Sequence, residues 1–429
     1  MRTATNSLLL VLLVAACAST NYTLFYDTAE SYYAAGDYRT AIDYYMRAVA
    51  QSEDHPEAYH AIGMSFYQLG DYEDAILAFE KTLEKDPKYT SAYEVLGSIY
   101  MDLGRPDTAI LLCEKAIALD SEYVRAYTTM GIALLRRGQV SSAEQTLRRA
   151  IDLAKKLETQ FSFRNFFGTV DYAGLDFDQA DAYNALADVY SVLRRHEDAL
   201  IALDNASRLL YDWPAPWLKK GAEYDSLGRY QSAEMAFQRA IDLDPRNPDG
   251  YRGLARVYLD AGHRVAAIEK LREAIRADTT DAESSLLLGN LYEGDGNYLW
   301  ALAAYGGAIE NAPDDTTAYM EAGRMLLGIE EYDRASSLFE QAVSQVPESP
   351  EPYDGLGQAY LGLGRDSDAE AALRNAIELD TAYAAPLRHL GVLYSKEGKE
   401  EDALKYFRQA AALGDSLSRS YLRSRGFLQ

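Results

Sequence analysis

PEAYHAIGMSFYQLGDYEDAILAFEKTLEKDPKY, residues 56–89, runs without a gap into TSAYEVLGSIYMDLGRPDTAILLCEKAIALDSEY, residues 90–123. Laid over one another, the two stretches agree at their small residues: Gly63 on Gly97, Gly70 on Gly104, Ala75 on Ala109. The spacing is 34 residues, and it continues in both directions. Frames of this length begin at residues 22, 56, 90 and 124, and again at 180, 214, 248, 282, 316, 350 and 384. The twentieth position is alanine in all eleven frames, from Ala41 to Ala403. The twenty-seventh is alanine in ten and Thr82 in the other. Self-similarity at a fixed period of this size marks an array of small units, each burying its apolar face against its neighbours.

Within a frame, apolar residues recur at steps of three and four, which gives one buried stripe per helix. Positions 4, 7, 8 and 11 share a face of a first helix, and positions 20, 24 and 27 share a face of a second. Small residues at positions 8 and 20 let the two backbones approach, and aromatics at 4, 11 and 24 fill the space around them. This accounts for much of the chain's 34 tyrosines. Position 15 is glycine in nine frames, including Gly36, Gly70, Gly104 and Gly138. The first helix must stop there, and glycine takes the left-handed conformation that such a stop needs. Eleven of the twelve prolines fall at frame boundaries or in the first turn of a first helix, and Pro106 opens a second helix.

These positions together resemble the tetratricopeptide-repeat (TPR) family over about 374 of the 429 residues. The resemblance implies an all-α fold, a right-handed superhelical solenoid of helix-turn-helix repeats. Repeats 1–4 would occupy residues 22–157 and repeats 5–11 residues 180–417, with 418–429 as a C-terminal capping segment. Between them, residues 158–179 carry Phe161, Phe163, Phe166, Phe167, Tyr172 and Phe177 among Asp171, Asp176 and Asp178. This insert reads either as an extended helix and loop packed on the array, or as an aromatic lobe offering Phe163, Phe166 and Phe167 to a partner.

Residues 1–16 do not read as fold. Arg2 is the only charge before Cys17, Leu8 to Ala15 is a short apolar run, and Ala15 and Ala16 are small. That is the pattern of a secretory signal, and the run is too short to span a bilayer. Its end, Val14-Ala15-Ala16-Cys17, resembles the bacterial lipobox, which implies acylation of Cys17 as the new N-terminus and a short lipidated tether over 17–21. An ordinary signal cut after Ala16 or Ala18 is the alternative. Ala18 rather than Asp follows Cys17, so nothing signals inner-membrane retention, and an outer-membrane lipoprotein facing the periplasm is expected, with a secreted or soluble periplasmic protein as the alternative.

The formal net charge is -24, and phosphate binding needs clustered Lys and Arg, so nucleic acid is set aside. No catalytic residue, cofactor or metal site is expected, and no small-molecule substrate. The five histidines, His55, His60, His196, His263 and His389, are scattered, with no HExxH pattern and no Cys/His cluster at metal-ligand spacing. Cys113 sits at position 24, a core position, where a buried inert thiol is expected. Gly355-Leu356-Gly357 has two glycines of a nucleotide loop but lacks the third, and it falls on a first helix. An enzyme is therefore not expected.

Protein or peptide partners are. In the resembled family the concave groove is lined by first-helix positions 2, 5, 9, 12 and 13. Here these hold Arg252, Arg256, Asn290, Arg324 and Arg388 in the later frames; the four arginines are cations in an acidic chain, and their guanidinium forks suit a carboxylate. The same positions read equally as a solvated surface balanced by acids such as Asp249, Asp260 and Glu283. Frames two and three offer a mixed set instead: Glu57, His60, Met64, Tyr67, Glu94 and Met101. The expected function is a lipid-anchored, non-catalytic scaffold or assembly factor. The alternatives are a regulatory subunit of a cell-envelope enzyme and a pilotin-like targeting factor.

Overall fold

The computed structural model describes residues 21–164 and 173–427, and every regular element among them is an α-helix. The chain divides between Gly228 and Arg229 into two compact units. The first holds α1 (21–34), α2 (Tyr38–Gln51), α3 (Pro56–Leu69), α4 (Tyr72–Lys85), α5 (Thr90–Asp102), α6 (Pro106–Leu119), α7 (Val124–Arg136), α8 (Val140–Arg164), α9 (Ala173–Val192), α10 (His196–Leu209) and α11 (Pro214–Ser226). The second holds α12 (Tyr230–Leu243), α13 (Pro248–Asp260), α14 (Arg264–Ala277), α15 (Ala282–Gly294), α16 (Tyr298–Asn311), α17 (Thr316–Gly328), α18 (Tyr332–Gln345), α19 (Pro350–Leu363), α20 (Asp366–Leu379), α21 (Ala384–Lys396), α22 (Glu400–Ala412) and α23 (Ser416–Ser424). Within each unit successive helices pack as hairpins, and the hairpins stack in chain order as a solenoid.

The pair α3–α4 shows why these residues give this unit. Pro56 stands in the first turn of α3, where a missing N–H costs nothing. At the other end Gly70 takes φ 78°, its N–H donates to the Tyr67 carbonyl and that of Asp71 to the Phe66 carbonyl, both at 3.0 Å. This pairing satisfies carbonyls that the helix end would otherwise leave bare. Helix α4 buries Ala75, Ala78, Phe79 and Thr82. Gly63 lets the Phe79 ring lie on α3, since a Cβ there would stand 2.9 Å from the ring. Full burial of such a ring contributes about 1.5–3 kcal/mol.

Nine frames keep glycine at the stop of the first helix, with φ from 67 to 80°. The two that do not, at Arg194 and Glu330, hold the same left-handed conformation with side chains attached, at φ 58 and 63°. The second helices end on a device that the repeat spacing did not announce. Asp86, Asp120, Asp278 and Asp380 each turn a carboxylate oxygen back to the N–H two residues on, at 2.8–2.9 Å. Tyrosines tie repeat to repeat. Tyr258 and Tyr394 donate to Glu234 and Glu370, each the residue after the invariant alanine of the preceding repeat, at 2.7 Å.

The stretch 158–179 is entered from both sides by helix. Helix α8 runs on to Arg164, and α9 begins at Ala173, ahead of the frame at residue 180. At the far end α23 covers α22, with Leu422 fully buried and Tyr421 against Phe407 at a ring separation of 4.2 Å.

Candidate functional site

In the first unit the first helices of consecutive repeats touch: α5 lies on α7, and α7 on α9. Between them and α3 opens a cleft of about 300 Å³. Glu94, on α5, lines it although only 6% exposed. Its Oε1 accepts from Thr129 Oγ1 at 2.8 Å and Ser98 Oγ at 3.2 Å. Burial pushes the Glu94 carboxyl above the usual carboxylate range, against the pull of those hydroxyls and of Arg125. Arg125, on α7, donates from Nε to Asp178 Oδ1 at 2.6 Å, which ties the start of α9 across the cleft. Arg136 is held by the Met101 carbonyl at 2.7 Å. Asp102 accepts from the Tyr67 hydroxyl at 3.3 Å and that of Tyr72 at 3.5 Å. Asp181, on α9, is pushed up to about 6 by burial, with Lys219 opposing. Met64, Val95, Met101, Ile132 and Phe177 supply apolar wall, and Phe177 is 44% exposed.

Such a surface is suited to binding. It offers carboxylate acceptors beside polarizable thioethers and an aromatic edge, and thioethers adapt to irregular partners. Of the residues singled out in frames two and three, the fold brings Met64, Tyr67, Glu94 and Met101 into this cleft. It leaves Glu57 bonded to His55 and to the Tyr22 hydroxyl, and turns His60 against Phe79 and Tyr89. Ser98, Asp102, Arg125, Arg136 and Asp181 were not singled out, although they stand at positions 9, 13, 2, 13 and 2 of frames three to five. That register was the available signal. Asp178 stands ahead of its frame and carried no such signal.

Two family models of the tetratricopeptide repeat match the chain, one over residues 26–90, 60–124, 286–350 and 355–418, the other over 100–158 and 226–291. The chain belongs to the tetratricopeptide-repeat family. Among solved structures it is similar to yeast Tom70, at 15% identity over 95% of each chain and a TM-score of 0.38. It is similar to MamA from residue 41 of Desulfovibrio magneticus RS-1, at 25% identity over 39% of this chain and 94% of that one, TM-score 0.35. It is also similar to Pseudomonas aeruginosa pilF, at 20% identity over 52% of this chain and 92% of that one, TM-score 0.41. No curated protein matches it.

In the TPR repeats of the second unit, Arg252, Arg324 and Arg388, expected to line a groove, already have carboxylates. Arg252, 20% exposed, pairs with Asp281 at 2.6 Å, with Glu283 at 3.2 Å and with Asp249. Asp281 is itself buried. Arg388 faces Asp415 at 3.5 Å, and Arg324 bonds Glu321 at 2.5 Å while staying 60% exposed. Asn290 accepts from the Tyr305 hydroxyl at 2.7 Å, and Arg256 has interactions of its own. Cys17 and the side chains of Phe163, Phe166 and Phe167 lie outside the described residues.

The remaining candidates for chemistry sit in TPR packing. Cys113 is fully buried with its Sγ over Gly97, and burial pushes the thiol far up, away from a reactive thiolate. Gly355 and Gly357 lie on α19, where a Cβ would run into Phe339 and Leu373. Among the described residues no three His, Cys, Asp or Glu side chains gather as a metal site, and no helix is long and apolar enough to cross a membrane.

Proposed function

We propose that this protein is a non-catalytic scaffold or assembly factor of a bacterial cell envelope, docking partner proteins or peptides in the cleft between α3, α5, α7 and α9. The TPR array makes it a protein-interaction scaffold. The observation that carries the proposal is the cleft, where apolar wall and a buried carboxylate meet on the first-helix face of adjacent repeats. The envelope part of the proposal rests on sequence: the signal-like residues 1–16, and Val14-Ala15-Ala16-Cys17 as the site of lipid attachment. With only residues 18–21 between Cys17 and the first frame, the first repeats, and so the cleft, would work close to the lipid of the outer membrane's periplasmic face.

The test is site-specific photocrosslinking in intact cells. The full chain carries a photoreactive residue either at Ser98, in the cleft, or at Leu111, 60% exposed on the second helix of the same repeat. Discrete partner adducts from Ser98 and not from Leu111 are expected. Adducts equal from both positions, or none from Ser98, would remove the cleft as the docking surface. Several partners would fit a scaffold, one dominant secretion or pilus component a targeting factor, and an enzyme whose rate changes on addition a regulatory subunit. Cys17→Ser should release the protein from the membrane fraction, and retention would refute the lipid anchor.

A further inference from the structure

The cleft has a charge and a vacancy of bonding that together define what enters it. Four carboxylates, from Glu94, Asp102, Asp178 and Asp181, face two guanidiniums, from Arg125 and Arg136. Both guanidiniums are engaged, Arg125 by Asp178 at 2.6 Å and Arg136 by the Met101 carbonyl at 2.7 Å. The excess is therefore negative. Glu94 is 6% exposed, and two hydroxyls hold its Oε1. Its Oε2 accepts no hydrogen bond among the described residues, on a side chain that lines the cleft. A carboxylate oxygen at the cleft surface with no donor from the protein is a strong acceptor for an incoming N–H. Asp181 likewise lines the cleft and has no hydrogen bond or ion pair among the described residues. The nearest cation from α11, Lys219, is bonded to Asp188 at 2.8 Å and to the Asn184 carbonyl at 3.2 Å.

We infer that the cleft takes the ammonium or guanidinium of a lysine or arginine in an extended segment of a partner protein, with Glu94 Oε2 and Asp181 as its acceptors. The stem of that side chain, or the apolar residue beside it, lies on Met64, Met101 and Phe177. This rests on the cleft being the docking surface proposed above, and adds the chemistry of its occupant. Charge complementarity supports the choice. A chain of net charge -24 steers basic partners to itself and repels acidic ones. Pairing an ionised donor with an ionised acceptor in a half-dry cleft gives the stronger class of hydrogen bond.

Binding should then depend on pH with a definite sign. The groups around Asp181 are Lys219 from α11, Arg125 from α7, and Asp178 and Asp188 from its own helix. With its carboxyl pushed up to about 6, Asp181 is charged above that pH and loses its charge below it. The Asp181 contribution to cation affinity is therefore present above pH about 6 and falls as the pH drops through it. Burial raises the Glu94 carboxyl as well, so an arriving cation draws protons off the cleft.

The probe is a displayed random-peptide library selected on the full chain, followed by titration of the most enriched synthetic peptide. A basic residue next to an apolar one is expected to recur among the selected peptides. Replacing that residue by norleucine should weaken binding about tenfold or more, and Glu94→Gln, which keeps size and the Oε1 acceptor, should do the same to the basic peptide. Asp181→Asn, at a less buried position, is the second variant, and it should remove the part of the pH dependence centred near pH 6. Helical circular dichroism checks both variants. Enrichment of acidic or uncharged peptides, no enrichment at all, or a basic peptide indifferent to both variants would overturn the inference. If Ser98 crosslinks partners while selected peptides carry no cation, the cleft stands as docking surface and only its specificity for a cation falls.

Discussion

Glu330 and Arg194 are the two places where the fold asks for glycine and the sequence withholds it. Both take positive φ, at 63 and 58°, and both make the same turn bonds as their glycine counterparts. Glu330 N–H donates to Leu327 at 3.2 Å and Glu331 N–H to Leu326 at 2.9 Å, as Gly70 and Asp71 do at 3.0 Å. The geometry is thus held constant while the side chain differs. A residue with a Cβ pays about 1–2 kcal/mol in the left-handed region, and glycine returns about 0.5–1 kcal/mol of that through its looser unfolded chain. Glu330→Gly and Arg194→Gly should each stabilise by about 0.5–1 kcal/mol, and Gly70→Ala should cost about as much. A Cβ at Gly70 would meet nothing within 4 Å, so its cost is backbone strain alone. Arrays of repeats do not unfold in one step, so a urea midpoint by circular dichroism needs a local reporter beside it. The amides of Ala335 and Ala199, bonded to the carbonyls of Glu331 and Arg195 at 3.0 Å, serve as that reporter in hydrogen exchange. If Glu330→Gly and Gly70→Ala move stability in the same direction, the left-handed turn is not what fixes glycine at this position.

A methyl at Gly131 would stand 2.5 Å from Leu147 Cγ, in a fully buried contact, so Gly131→Ala should cost about 1–3 kcal/mol in thermal unfolding. Removing Arg252 strands the buried carboxylate of Asp281, so Arg252→Met should lose about 3 kcal/mol, whereas exposed Arg324→Ala should stay within about 0.5 kcal/mol. Equal, small effects of the two would show that Arg252 is free to bind. Burial lowers His60 from 6.5 to about 4, so the native state resists a proton that the unfolded chain takes up. Stability should therefore be unaffected by this group above pH 6.5 and fall by up to about 3 kcal/mol as the pH drops to about 4, a slope that His60→Gln removes.

The helices were legible because each structural demand is repeated in most or all of eleven frames. An alanine at position 20 or a glycine at position 8 is ambiguous alone, but its recurrence against Phe79, Leu147 or Leu373 is not. What the period cannot reveal is what happens once. The extension of α8 to Arg164 and the early start of α9 depart from the frame, and Arg194 shows a turn held without its usual residue. The aspartate turns at Asp86, Asp120, Asp278 and Asp380 recur at one position of the frame, though in fewer frames than the alanines. They escaped because they act on backbone after the helix has ended, where no apolar stripe draws the eye.

The site was half legible for a related reason. First-helix positions point to Met64, Tyr67, Glu94 and Met101, and the same positions in later frames point to Arg252, Arg256, Asn290, Arg324 and Arg388. In such a chain a lone arginine is the side chain most readily supplied with carboxylates, and Arg252 has three. Conspicuous charge in the sequence therefore marks where the fold has balanced its own acids. What a partner can use is the acceptor left over, and that depends on which pairs form across long separations. Arg125 meets Asp178 from 53 residues away, and only then does Glu94, two hydroxyls on one oxygen and none on the other, become the unpaired acceptor of the cleft. Variants that unpair Arg125, such as Asp178→Asn, should accordingly turn that guanidinium toward Glu94 and weaken the capture of basic peptides without touching the apolar wall.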